Sequence, residues 1–265
     1  KLEQALISYL LRANYNYDNR YMLTLIGRRD GTSLVAKDNR FQNYGSVSGA
    51  WAIHREAFLS DSEVINTLKL RGSYGILGNL GSLSSTAVSP LLQRVDNWVG
   101  KTPTLMPGYI ERIMGNPILT WAQSNQTNIG LDISVINNRL TLNADYFVKR
   151  TDRMLMDIAL AGTTGLQTKT VNGGRVTDKG IELAVTYSNK SDAAFQYDIS
   201  ASVNKISNNV HYVIDDFPRI TSQIDYRGIL KPLLTEPGQP LYSYYGLETA
   251  GLFRSNQEAE QYKGS

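Results

Sequence analysis

Few residues of this chain could do covalent or metal chemistry, and their spacing assembles no centre. His54 and His211 are the only histidines, and cysteine is absent. A catalytic metal needs several nitrogen, sulfur or carboxylate ligands at short spacing, so both histidines read as solvated loop residues. The absence of cysteine removes disulfides and a thiolate nucleophile, and suits a compartment in which free thiols oxidise. Asp215-Asp216 could hold calcium or a sugar, or be an exposed turn. Their adjacency does not make the opposed carboxylates of a glycosidase. Asn172-Gly173-Gly174 precedes a strand, with neither a lysine nor a helix behind it, so it reads as turn chemistry and not as a phosphate loop. Trp98, Tyr109 and Tyr226 stand in long irregular segments, where their rings could stack on sugars or peptide side chains, meet a lid protein, or pack the loops themselves. These residues lead us to expect no cofactor, no metal and no catalysis.

The segments that would carry these residues alternate apolar and polar positions. Strands are predicted at Leu6 to Tyr17, Arg20 to Arg28, 46–53, Asn66 to Ile76, 127–135, 140–149, 181–188 and 196–203, with a weaker one near Tyr242 to Leu247. Leu140, Leu142, Ala144, Tyr146 and Val148 then share one face, and Thr141, Asn143, Asp145, Phe147 and Lys149 the other. Tight turns at Asp18-Asn19 and Asn137-Asn138 and a short one at Asn189 to Ala193 fall on one side. The segments 30–42, 77–124 and 162–174 fall on the other, and 54–65 is intermediate with room for one helical turn. Membrane β-barrels have that asymmetry of short periplasmic turns and long outer loops. Lys69, Arg71, Asp132, Asn143, Asp145 and Asp198 would be costly in a dry sandwich core but are solvated in a wide lumen. Trp51, Tyr74, Tyr146 and Tyr187 read as strand and girdle aromatics, among sixteen tyrosines in all. No apolar run is long enough for a membrane helix, and a mean hydropathy of -0.28 does not exclude a barrel. A net charge of +3, evenly spread, implies neither nucleic acid nor anionic lipid as a partner.

Several longer words then become legible: Asn19 to Ser33, Leu68 to Asn79, Asn116 to Leu140 (NPILTWAQSNQTNIGLDISVINNRL), Val176 to Leu183 (VTDKGIEL) and Tyr244 to Gln257 (YYGLETAGLFRSNQ). In content and order they resemble the SusC/RagA family of TonB-dependent outer-membrane transporters. Two positions depart from its pattern: Ala122-Gln123 follow Trp121 where an acidic residue is usual, and Tyr44-Gly45 stand where a Phe-Pro pair usually opens strand three. Lys179-Gly180 suggests a bulge or a close backbone approach.

The resemblance implies an all-β fold: an antiparallel up-and-down transmembrane barrel of about 22 strands, of which residues 1–265 would supply a partial wall of about eight to ten, within one domain and without the plug. It further implies location in the outer membrane of a Gram-negative, Bacteroidetes-type cell, in contact with the lipid bilayer. The activity implied is active import of a bulky glycan or oligopeptide under a SusD-like lipoprotein lid, with the TonB complex acting through the plug. Two other readings remain open: a soluble or surface-exposed all-β carbohydrate-binding module, and a barrel enzyme, which would need a catalytic constellation that the sequence does not display.

Overall fold

The computed structural model describes residues 4–81, 83–84, 86–89, 92–101, 103–189, 195–214, 218–221, 232–249 and 251–262. Sixteen strands are formed among them: β1 (Leu6–Tyr17), β2 (Tyr21–Thr32), β3 (Phe41–Ala52), β4 (Ile65–Asn79), β5 (Gln93–Val99), β6 (Thr104–Ile110), β7 (Ile113–Met114), β8 (Ala122–Val135), β9 (Leu140–Asp152), β10 (Leu155–Ala159), β11 (Thr168–Asn172), β12 (Arg175–Ser188), β13 (Asp198–Tyr212), β14 (Ile220–Thr221), β15 (Leu233–Thr235) and β16 (Ser243–Tyr244). One helical segment, α1 (Asn256–Gln261), follows and is capped by Ser255.

Eight long strands form one antiparallel sheet in the order β1-β2-β3-β4-β8-β9-β12-β13, an up-and-down meander. Its tight turns rest on left-handed residues at Asp18 (φ 51°) and Asn19 (φ 51°), and at Ile136, Asn137 and Asn138. Asp and Asn tolerate that conformation better than other side chains. The strand ends joined by connections 18–20, 53–64, 136–139 and 189–197 lie at one end of the sheet, and those joined by 33–40, 80–121 and 153–174 at the other. A single 3-10 turn, Ile53–Arg55, fills the place foreseen for one helical turn.

The strands outrun their alternating segments mainly at the long-loop end: β3 starts at Phe41, β8 at Ala122 and β12 at Arg175, while β13 continues to Tyr212. Beyond the apolar band the outward positions turn largely polar, with Asn43, Asn125, Lys179 and Lys205, so the strict hydrophobic alternation ceases while backbone pairing continues. His211 consequently lies in β13 and not in a loop, its Nε2 2.8 Å from the Thr177 hydroxyl. Gly180 makes no bulge, since β12 pairs continuously through it; the register shift falls at Arg175/Val176. Its missing side chain leaves room for the Phe147 ring.

Pairing separates the two faces cleanly. Trp51, Leu70, Leu131, Ala144, Leu183 and Val203 form one row across six strands. Leu11, Ile129 and Val203 on this face are 76%, 54% and 63% exposed, and no described element covers them. A soluble sandwich would bury that face; here it stays bare. The apolar band also slants. On β3 it runs from Trp51 to Val47, away from the row toward the long loops, whereas on β13 it runs from Val203 to Ile199, toward the short turns. Between β3 and β13 the band slips four residues over five strand-to-strand steps. With about 3.3 Å per residue and about 4.8 Å between strands, this is a tilt of about 30°, near that of barrel strands.

Candidate functional site

The opposite face carries the charges. Arg71 on β4 aligns with Gly130 on β8, which aligns with Asp145 on β9. Because Gly130 has no side chain, the Arg71 guanidinium lies across β8; a Cβ there would meet both Arg71 and Asp145. Arg71 donates to both oxygens of Asp132 (2.8 and 2.9 Å) and to Asp145 (3.0 Å), and Asn143 donates to Asp132 at 2.9 Å. Lys69 aligns with Asp132 on the same face. Five of the six polar residues singled out from the sequence thus gather on β4, β8 and β9. Asp198 shares their face but sits at the far edge of the sheet, opposite Ser188.

On the apolar face, Trp51 and Tyr187 stand next to the short-turn ends of β3 and β12. Tyr21 stacks on Trp51 (6.5 Å), Tyr17 approaches Tyr21 (6.4 Å), and Tyr197 approaches Tyr187 (6.2 Å). Tyr74 and Tyr146 lie two residues short of the last apolar residues that β4 and β9 place on this face, Ile76 and Val148. Beneath the short-turn end, the buried Glu56 carboxylate accepts hydrogen bonds from the Tyr21 hydroxyl (2.6 Å), the Trp51 indole (2.9 Å) and Arg20 (3.3 Å). These bonds, led by that of Tyr21, hold its pKa below the ordinary carboxylate range.

Long loops form a packed layer at the other end. Val35, Leu83, Ala87 and Leu119 make one core, and Val176, Val210 and Val213 a second. The Asn-Pro motif ties the layer together. The Asn116 amide donates to the Thr170 carbonyl (2.9 Å), the Trp121 indole to the Arg40 carbonyl (3.2 Å), and Asn39 to Leu119 (3.1 Å). Asn172 accepts from Thr120 N–H and donates to its carbonyl, both at 2.8 Å. Asn172-Gly173-Gly174 is therefore a strut between β11 and β12. Tyr44, at a position where the family pattern is broken, packs edge-on against Trp121 (6.1 Å) and over Gly78.

Between Leu80, Leu83 and Ala87, the β10–β11 hairpin, the strands β14 and β15 and the residues Leu241 and Tyr242 lies a cavity of about 610 Å³. Its wall is mostly apolar, with Leu83, Leu155, Met156 and Leu241, and it includes Asp157, which accepts from Thr170 at 2.6 Å. Trp98 and Tyr109 stand on one face of the β5–β6 hairpin, 70% and 64% exposed, with the Arg94–Asp96 ion pair on the same face. Asp215, Asp216 and Tyr226 lie outside the described residues. Sequence reasoning missed Gly130 and Glu56, because their importance appears only once cross-strand neighbours are known. Asn116 sat in a recognised motif whose bonding partners are remote in sequence.

Comparison with known proteins agrees with this geometry. The model of the TonB dependent receptor-like β-barrel matches residues 5–254. The TonB-dependent receptor P26 of Formosa agariphila is 32% identical over 78% of this chain and 20% of its own length. The TonB-dependent receptor SusC of Bacteroides thetaiotaomicron is 31% identical over 77% of this chain and 21% of its own. A structure of the RagAB peptide transporter superposes with a TM-score of 0.80 at 24% identity, covering 94% of this chain and 26% of that one. The chain thus spans about a fifth to a quarter of the curated relatives it matches. Slanted apolar band, antiparallel meander and a family match over nearly all residues converge: the chain belongs to the TonB-dependent receptor β-barrel family, whose members are proteins of the outer membrane.

Proposed function

We propose that residues 1–265 form part of the barrel wall of a SusC-like, TonB-driven importer of a bulky glycan or oligopeptide. A SusD-like lipoprotein serves as its lid, and a plug belonging to the rest of the protein couples it to the TonB complex. All of residues 1–265 belong to one barrel domain. Likeness to a relative named SusC supports the reading, as does the fold shared with the RagAB peptide importer. The observation that carries it is a sheet with an uncovered apolar face and, on its reverse, a polar face bearing Arg71, Asp132, Asn143 and Asp145. Such a sheet suits a wall between hydrocarbon and a wet lumen. In this proposal the polar face lines the passage, the aromatic residues at the band edges sit at headgroup level, and Trp98 and Tyr109 meet cargo or lid. The family is one of receptors and transporters, and we assign no catalysis to the chain.

In-frame deletion of the gene, followed by uptake assays with defined glycan and peptide pools, tests the proposal. One pool should stop entering the cell, and a protonophore should reproduce the loss in the parent strain. Unchanged uptake of every pool would overturn the importer reading.

A further inference from the structure

The outward face carries a basic ledge where the apolar band meets the long-loop end. On β9 the last apolar residue, Val148, is followed on the same face by Arg150; on β12 Ile181 gives way to Lys179; on β13 Val203 gives way to Lys205. The three cations follow the slant of the band strand by strand. Lys179 aligns with Val148 and with Ser207, so it is the diagonal neighbour of both Arg150 and Lys205. Diagonal neighbours on one face lie about 7–8 Å apart, within reach of a single anionic group for side chains of this length. Arg175 stands on the same face four residues beyond Lys179 along β12, its guanidinium over the Tyr212 ring. The only carboxylate among these aligned pairs is Asp152, which Arg150 and Arg175 already share at 2.9 and 2.5 Å. Lys179 and Lys205 are exposed and form no ion pair among the described residues. Like charges side by side on an empty sheet repel, so the arrangement is relieved by an external anion. Membrane geometry fixes its source: the long-loop end of such a barrel faces the outer leaflet, and the ledge begins where hydrocarbon ends.

We propose that Arg150, Lys179 and Lys205 form a binding site for the phosphate of a phosphorylated glycolipid in the outer leaflet, with Arg175 supporting it. The whole-chain charge of +3 conceals this patch because acidic residues elsewhere offset it. The site rests on placement in the outer membrane and not on the importer reading, so the two can fail separately.

The test uses the full-length protein in detergent, with native mass spectrometry to count bound lipid. The probes are phosphorylated lipid A, enzymatically dephosphorylated lipid A and inorganic phosphate. The parent should retain phosphorylated lipid A and not the dephosphorylated form. Replacing each cation should weaken retention about fivefold, and the R150Q/K179Q/K205Q variant about a hundredfold. K179R/K205R should retain lipid as the parent does. Heat-modifiable migration in gels confirms that each variant is folded, and K179Q and K205Q alone serve if the triple variant is not. Equal retention of dephosphorylated lipid A, full retention by the folded glutamine variants, or displacement by millimolar inorganic phosphate would each overturn the proposal.

Discussion

At the scale of single residues, Gly130 and Arg71 depend on one another. The guanidinium occupies the space above a glycine, and any side chain there displaces it from both carboxylates. Gly130→Val should therefore resemble Arg71→Met, each costing roughly 1–3 kcal/mol, the usual worth of hydrogen bonds to charged groups. Urea midpoints of the full-length barrel, compared with that of a double variant, would show the shared origin: the two losses should not add. Glu56 gives a pH signature. Its acidity is increased on folding, so its contribution is complete above its ordinary value of 4.5 and is lost as pH falls through the lower folded value. Thermal midpoints should therefore drop in acid more steeply for the parent than for Glu56→Gln. Parallel curves would mean that the Tyr21 and Trp51 bonds do not depend on its charge. None of this was legible beforehand. Gly130 looked like any strand glycine, and Glu56 lay in a connection whose partners are separated from it by 35, 5 and 36 positions.

At the scale of elements, the strands carry the strongest asymmetry. Ile129→Arg puts a charge inside the apolar band and should cost roughly 2–4 kcal/mol in a bilayer. Asn128→Arg, one residue away, points to the polar face and should cost much less. Folding titrations of both variants into lipid vesicles would compare them, and equal penalties would mean that the faces are misassigned. The outer layer hangs on amide side chains. Asn172→Ala removes both bonds to Thr120 and a third to the Arg153 carbonyl, so limited proteolysis should open segment 80–121 while the eight strands of the large sheet remain resistant. The alternation of those strands was readable because side-chain direction in a strand depends only on sequence parity. Where each strand ends was not, since beyond the band pairing continues without a hydrophobic signature. The β5–β6 and β10–β11 hairpins were hidden for the same reason.

At the scale of the whole molecule, the sheet has two open edges, β1 and β13. Hydrocarbon cannot satisfy unpaired strand backbone. Residues 1–265 expressed alone should thus give heterogeneous aggregates in detergent, with no heat-modifiable species, while the full-length protein should run as one compact form. Size-exclusion chromatography with gel analysis distinguishes these outcomes, and a monodisperse isolated segment would contradict the wall assignment. The slant of the apolar band accords with the proposed wall, because closing a sheet into a barrel requires strands tilted to its axis.

The order of residues was enough to establish two-faced strands, the segregation of short turns from long connections, and the family words that place them. Each is a local property of consecutive positions. Pairing had to be seen before Arg71 could be joined to Asp145 across Gly130, before Asn116 could be tied to Thr170, or before three separate cations could be read as one ledge. Such neighbours are set by strand register and tilt, and a displacement of one residue along a strand would send every one of those side chains to the other face.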